Sequence, residues 1–233
     1  MNDIVIIGGT RGIGRELALA CARRGDAVVI AGRDPARAAD AAHDILREAG
    51  HGSVRGIAAD LGQPALLPAA LSGIQGVRHL VIAGVERDHQ SLAGYDVERA
   101  LKLATVKMVG YAAAVAALRG RFAPGASVLL FGGISKDRPY PGSTTITSVN
   151  TGIDGLVRTM AQELSPHRCN AIHPGVVADS PFCAGNEAVL SMGRSMTLAG
   201  ELPRMRDIVE GCLFLMNCQA ANAVSLSLDG GRR

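Results

Sequence analysis

The sequence predicts an α/β domain: a doubly wound parallel sheet of about seven strands with helices on both faces, in a single unit spanning residues 1–233. Three observations carry this. Short apolar runs alternate with helix-forming stretches along the whole chain. The first run, Ile4 to Ile7, breaks into a glycine-rich turn that opens a helix. No internal repeat, low-complexity segment or interdomain linker interrupts the order, and a chain of 233 residues with 48% hydrophobic content can bury one sizeable core.

In order, residues 4–7 are a buried strand, and residues 15–24 place Leu17, Ala18, Ala20 and Cys21 at helical spacing. Residues 27–31 are a second strand ending at Gly32, Arg33, Asp34, Pro35, followed by a helix over 36–49 that Gly50 closes. A third strand, 54–58, ends in Asp60 and Leu61. A short helix, 66–71, and a fourth strand, 79–83, lead to Gly84. Residues 95–118 are alanine-rich and proline-free, a long helix whose small-residue face is expected to pack against a neighbour. Strand five, 127–131, is followed by a loop over 132–142 carrying Pro139 and Pro141, then by a second long helix, 147–164. Strand six, 169–172, stops at Pro174 and Gly175. After a polar, glycine-containing loop come the last helix, 206–217, and the last strand, 224–228. In such a sheet, ligands bind at the carboxyl ends of the strands.

The turn Gly8, Gly9, Thr10, Arg11, Gly12, Ile13, Gly14 suits a phosphate. Glycines let backbone N–H groups approach an anion, and the first turn of a helix offers unpaired donors at the positive end of its dipole. The spacing differs from Gly-x-Gly-x-x-Gly, and a tight turn that binds nothing is the alternative. The end of the second strand selects the dinucleotide, because an acidic side chain there binds a ribose 2′-OH and a cation binds a 2′-phosphate. Gly32 takes the acidic slot, and Arg33 with Arg11 form a guanidinium pair, which favours NADP(H) over NAD(H); two solvated surface arginines are the alternative.

Composition narrows the remaining classes. A net charge of +3 with scattered arginines, and aromatics at only 3%, argue against nucleic acid and against an anionic membrane. No secretory signal is read at the N-terminus, and no apolar stretch is read as approaching the roughly 20 residues of a membrane span. The five cysteines lack metal-type pair spacing and the six histidines are dispersed, so reduced thiols, no metal site and a cytoplasmic location are expected.

The chain resembles the short-chain dehydrogenase/reductase superfamily over nearly its whole length. Ile7 to Gly14 matches the family's Thr-Gly-x-x-x-Gly-x-Gly turn, with Ile7 where threonine is usual; Gly8, Thr10, Arg11, Gly12, Ile13 and Gly14 are the implied cofactor contacts. Asp60 and Leu61 match the pair that contacts adenine. Ala83 and Gly84 match the second half of Asn-Asn-Ala-Gly, with Val81 and Ile82 in place of its asparagines. Pro174 and Gly175, with Val176 after them, match the segment bordering the nicotinamide, and Leu228 to Gly231 resembles Val-Asp-Gly-Gly.

The resemblance also implies a tyrosine and, four residues later, a lysine on one helix face. A serine about 13 residues upstream and an asparagine on the preceding long helix complete the set, so that a proton reaches the carbonyl oxygen as hydride reaches carbon. Here the pattern breaks. The alignment puts Ile146 at the tyrosine, Asn150 at the lysine, Gly133 at the serine and Thr105 at the relay asparagine, and no Tyr-x-x-x-Lys exists in the chain. Asn150 retains hydrogen-bonding capacity toward the nicotinamide ribose. Substitutes lie in the loop: Ser135 to orient a carbonyl, Tyr140 as a phenol that also reads as a Tyr-Pro-Gly turn, and Lys136, beside Asp137 and Arg138, as a solvated charge.

The leading expectation is an NADP(H)-dependent oxidoreductase with a divergent site, acting on a small carbonyl or conjugated acceptor. The alternative is a catalytically silent NADP(H)-binding sensor or interaction protein. Assembly as a homodimer or homotetramer through the two long helices follows from the resemblance, and residues 180–200 carry no charge cluster that names a substrate.

Overall fold

All four residues of the run Ile4, Val5, Ile6, Ile7 are buried, although successive strand side chains point to opposite faces. Both faces must therefore be covered. The computed structural model, which describes residues 2–86 and 88–231, shows how. Seven strands form one sheet: β1 (Asp3–Ile7), β2 (Ala27–Gly32), β3 (Ser53–Ala58), β4 (Val77–Ile82), β5 (Phe122–Phe131), β6 (Arg168–Pro174) and β7 (Ser225–Leu228). Their spatial order is β3-β2-β1-β4-β5-β6-β7, and every neighbouring pair is parallel.

One face carries α1 (Gly12–Ala22), α2 (Pro35–Ala49) and α8 (Met205–Asn217), whose Leu17, Cys21, Ile45, Ile208 and Cys212 pack on Ile4, Ile6, Val28 and Ile30. The other face carries α3 (Leu67–Ala70), α4 (Val97–Ala104), a π-helical turn over Thr105–Gly110, α5 (Tyr111–Leu118) and α6 (Thr144–Glu163), on Val5, Ile7, Val29 and Leu80. The ends of α2 follow from their residues. Asp34 accepts the Arg37 N–H at the N-cap, Pro35 starts the helix, and Gly50 closes it at φ +76°.

The structure revises four sequence expectations. Helix α6 starts three residues earlier than predicted, and in its first turns the Ser148 and Thr151 hydroxyls donate to the carbonyls of Thr144 and Thr147. Strand β5 starts at Phe122 because its register with β4 jumps from Val77↔Phe122 to His79↔Ser127, so Pro124 and Gly125 sit in an irregularity rather than a loop. The polar loop holds an extra helix, α7 (Glu187–Ser195), capped by Asn186 through the Val189 N–H. The helix from Val97 to Arg121 is 25 residues long and includes an 18-residue stretch of mean hydropathy 1.5, so by length and composition alone it is long and apolar enough to cross a membrane. Its apolarity serves the core, where Val106, Tyr111, Ala114 and Leu118 are buried against the sheet.

Candidate active site

The strand order reverses direction between β1 and β4, which makes the carboxyl ends of those two strands the crevice of the sheet. The chain leaves both through glycine. Gly8 has φ +90°, and a Cβ on it would lie 2.5 Å from the Gly84 backbone nitrogen. A Cβ on Gly14 would lie 2.3 Å from the Gly8 carbonyl oxygen. These contacts are backbone on backbone, so no side chain fits at either position. Helix α1 begins at Gly12, earlier than predicted, and its N-cap Arg11 makes no side-chain cap bond. The first-turn N–H donors thus face the crevice with the dipole behind them, an arrangement that fits the diphosphate of a dinucleotide.

Some of the other expected contacts adjoin this crevice, and others stand at the ends of neighbouring strands. Leu61 is buried, and a Cβ on Gly84 would meet its Cδ1 at 2.6 Å, so the Asp60–Leu61 and Ala83–Gly84 segments touch. Asp60 is occupied by its own turn, accepting the Gly62 N–H at 2.9 Å. A Cβ on Gly32 would meet Thr10 Cγ2 at 2.7 Å, so glycine there seats the phosphate turn as well as omitting an acid. Arg11 is exposed on the turn. Arg33 is exposed too, but its Nη1 lies 3.2 Å from Glu86 Oε2, and Lys102 Nζ donates to the same carboxylate at 3.0 Å. Gly175 and Val176 follow β6, and Gly175 donates to the Leu228 carbonyl at 3.0 Å, which joins that segment to the C-terminal glycines.

Beyond β5, Ile146 lines a cavity of about 410 Å³ together with Tyr140, His89, Phe182, Asp88 and Arg99. The sequence-predicted turn is present: the Ser143 N–H donates to the Tyr140 carbonyl at 2.9 Å, with Pro141 and Gly142, at φ +88°, between them. The turn presents the Tyr140 ring to the cavity, stacked on His89 at 6.1 Å and 21°. Asp88 is buried beside it, 2.9 Å from Arg99 Nη2.

Gly133, at the predicted serine position, and Gly132 before it both face side chains. A Cβ on Gly132 would lie 2.2 Å from His173 Nδ1, and one on Gly133 would lie 2.7 Å from Asn150 Nδ2. His173 is fully buried and burial pushes it down to about 4, so the ring is neutral. Its Nδ1 accepts the Gly133 N–H at 3.2 Å, which leaves the hydrogen on Nε2, 3.1 Å from Asp154 Oδ1. Lys136 is not the solvated charge expected from sequence. Its side chain is 11% exposed, with Nζ 2.8 Å from Asp137 and 3.3 Å from Asp154, because the short helical turn Ile134–Lys136 folds the loop inward.

The same inward turn buries Ser135, whose Oγ accepts from Asn150 Nδ2 at 2.8 Å. Asn150 Oδ1 in turn accepts from Lys107 Nζ at 2.7 Å. Asn150 is therefore engaged within the protein at both ends of its amide rather than presented to solvent. Lys107, not Thr105, is the long-helix residue that reaches this point: the π turn places its side chain inward, 1% exposed, where Phe131 O and Gly132 O also accept from it at 3.1 and 3.2 Å. Burial lowers its pKa to about 7. The signal was present in sequence, since Lys107 is the only charged residue from Leu103 to Leu118. One turn later, Tyr111 Oη lies 2.9 Å from Gly84 O and 3.2 Å from Phe131 O, bridging the ends of β4 and β5.

Known proteins share this architecture. The sequence profile of the family described as enoyl-(acyl carrier protein) reductase matches residues 8–232. The chain is 30% identical over 251 residues to L-rhamnose 1-dehydrogenase (NAD(P)(+)) of Azotobacter vinelandii, covering 99% of this chain and 96% of that one. It is 25% identical over 248 residues to the short-chain dehydrogenase/reductase malC of Malbranchea aurantiaca, covering 99% and 94%. The solved structure of the MalC reductase/Diels-Alderase from that organism matches with a TM-score of 0.88 at 25% identity, over 99% of this chain and 95% of that one. A 3-oxoacyl-[acyl-carrier protein] reductase structure from Brucella melitensis shares the fold at a TM-score of 0.88 and 22% identity, over 99% and 91%. With its glycine cradle, parallel seven-stranded sheet and full-length matches, the chain belongs to the short-chain dehydrogenase/reductase superfamily of oxidoreductases, which work with a nicotinamide dinucleotide, and within it to the family described as enoyl-(acyl carrier protein) reductase.

Proposed function

We propose that the protein is an NADP(H)-dependent reductase of a small carbonyl or conjugated acceptor with a divergent proton-transfer site. The observation that carries this is the uncapped N-terminus of α1 set in a backbone-only glycine cradle, with Arg11 and Arg33 on its rim. In this reading the first-turn N–H groups of α1 hold the diphosphate, and Arg33 exchanges the Glu86 carboxylate for a 2′-phosphate. Bound, the nicotinamide supplies or takes up a hydride at the acceptor carbon. Ile146 neither donates nor accepts a proton, and general acid–base catalysis contributes about 10²- to 10⁴-fold. That loss corresponds to roughly 3 to 5 kcal/mol of barrier, which favours activated acceptors over simple ketones. The cavity wall offers the Tyr140 phenol, and the adjoining buried turn offers the Ser135 hydroxyl.

Titration with NADPH and NADH, followed by the fluorescence of the reduced nicotinamide, tests the cofactor half, since the chain has no tryptophan to act as donor. Saturable binding with NADPH preferred is expected; binding of neither removes the proposal. A panel of carbonyls and enones against a cofactor-only blank then tests turnover. The second reading, a catalytically silent NADP(H)-binding sensor or interaction protein, is favoured by Ile146 in the cavity wall, and it stands if NADPH binds and no acceptor is reduced. Cytoplasmic location and homo-oligomerisation belong to the same proposal; Val97, Leu101 and Val109, exposed along the helix from Val97 to Arg121, support a subunit contact there.

A further inference from the structure

We propose that Lys107 is a positioning residue that, through Asn150, sets the Ser135 hydroxyl to donate to the oxygen of a bound acceptor. The inference rests on the reductase reading above, and it deepens that reading by identifying the donor and what aims it.

Hydrogen-bond direction fixes each member of the chain. A lysine ammonium has three N–H donors and no acceptor, and Lys107 Nζ has three acceptors around it: Phe131 O, Gly132 O and Asn150 Oδ1. The count matches the charged form. Because Lys107 only donates, the atom of Asn150 that faces it must be the amide oxygen. The amide NH₂ then faces Ser135, whose Oγ must accept at 2.8 Å. A hydroxyl that accepts from Asn150 keeps its own hydrogen for another partner. Thr147 adds a second restraint by donating to the Ser135 carbonyl at 3.2 Å, and Thr147 follows Ile146 of the cavity wall. Direction thus passes from Lys107 to the Ser135 hydroxyl, whose own carbonyl is bonded to the residue after Ile146, without any proton moving along it.

Burying an ammonium among neutral acceptors is costly, and burial brings Lys107 down to about 7. The groups facing it from neighbouring elements do not titrate there. Tyr111 on α5 is raised by burial, and His173 on β6, reached past Gly132, is pushed down to about 4. Behind His173 stand Asp154, whose carboxyl is held low by Ser225, His173 and Lys136 against the effect of burial, and Lys136, which Asp137 and Asp154 hold charged. A neutral-range titration of the network is therefore that of Lys107.

Two measurements on the full chain test this. In the first, without cofactor, lysine Cε is labelled with ¹³C and followed by NMR across pH, with the Lys107 signal assigned by Lys107→Arg. Lys107 is expected to titrate below the other lysines in the wild type and to move upward in Asn150→Asp, where a carboxylate replaces the amide. Titration together with the surface lysines overturns the proposal. In the second, reduction of 9,10-phenanthrenequinone by NADPH is followed. Ser135→Ala is expected to lose on the order of 10²-fold in kcat with KM little changed. Asn150→Asp is expected to lose about as much, although it is isosteric and holds Lys107 more firmly, because its carboxylate takes the Ser135 hydrogen. Lys107→Met in the Ser135→Ala background is expected to cost nothing further. Wild-type kcat in Asn150→Asp, or losses that multiply in the double variant, overturn the positioning role. A wild type that binds NADPH but does not reduce the quinone removes the donor role along with the reductase reading, while the NMR arm still decides whether Lys107 fixes Asn150.

Discussion

The crevice between β1 and β4 and the turn between β5 and α6 both depend on glycine, for different physical reasons. At the crevice, Gly8 lies against the Gly84 backbone, Gly14 against the Gly8 carbonyl, and Gly110 of the π turn would place a Cβ 2.3 Å from the Leu61 carbonyl. Main chain meets main chain, and nothing there can rotate away. At the β5–α6 turn, Gly132 and Gly133 face side chains, the His173 ring and the Asn150 amide. Side chains are replaceable together. A backbone cradle tolerates no single change, whereas a side-chain network passes from one hydrogen-bonded set to another when its members change in concert. The turn after β1 therefore admits no side chain, whereas the β5–α6 turn is open to concerted replacement.

The largest effect tests the rigid half of that comparison. Gly8→Val places a branched side chain at φ +90° against the Gly84 backbone. Strain and overpacking together are expected to cost about 3 kcal/mol of stability, and NADPH binding is expected to be lost. Gly133→Ser meets a side-chain amide instead and is expected to cost about 1 kcal/mol while keeping NADPH binding. Urea unfolding and nicotinamide fluorescence on both variants measure this. A larger loss from Gly133→Ser than from Gly8→Val would break the comparison.

A smaller effect, with a definite sign, comes from the network. Lys107 is lowered from 10.5 to about 7 in the folded protein, so between those values the unfolded chain binds more protons. Stability attributable to this residue then rises with pH across that window, and below it the full penalty of the buried charge is present. Lys107→Met is expected to flatten the stability curve between pH 7 and 10.5 and to gain most on the wild type at its acid end. Unfolding midpoints across pH read this out, and an unchanged slope would mean that Lys107 is not titrating within the fold.

These contrasts also explain what the sequence disclosed. The sheet was legible because buried parallel strands are nearly continuous apolar runs and their ends carry glycine, proline or aspartate, as at Gly32, Gly84 and Pro174. The cradle was legible for the same reason as its rigidity: backbone contact leaves glycine as the one possible residue. The β5–α6 site was less so. That Lys107 and Asn150 meet depends on a π turn, which carries the one charged residue of an alanine-rich stretch inward, and the sequence shows the charge but not where the turn falls. Helix α7 was missed because its start rests on Asn186 capping rather than on an apolar stripe.

The smallest effect bears on the rim of the cradle, where the comparison is sharpest. Arg33 is bound to Glu86, not to backbone, and its side chain is 59% exposed. It is thus a side-chain feature attached to the rigid half, and it should behave as the replaceable half does. A charge-assisted bond to a 2′-phosphate contributes about 1.5 to 3 kcal/mol when shielded, and solvent screening reduces that at an exposed site. Arg33→Ala is accordingly expected to weaken NADPH about tenfold and to leave NADH nearly unchanged, with no loss of thermal stability. Glu86→Gln is expected to act in the opposite direction, because Arg33 no longer leaves a carboxylate when it meets the phosphate, and NADPH should then bind a few-fold more tightly. Equal losses for both dinucleotides in Arg33→Ala would show that the guanidinium does not read the 2′-phosphate, and selectivity would then have to come from Arg11 on the cradle itself.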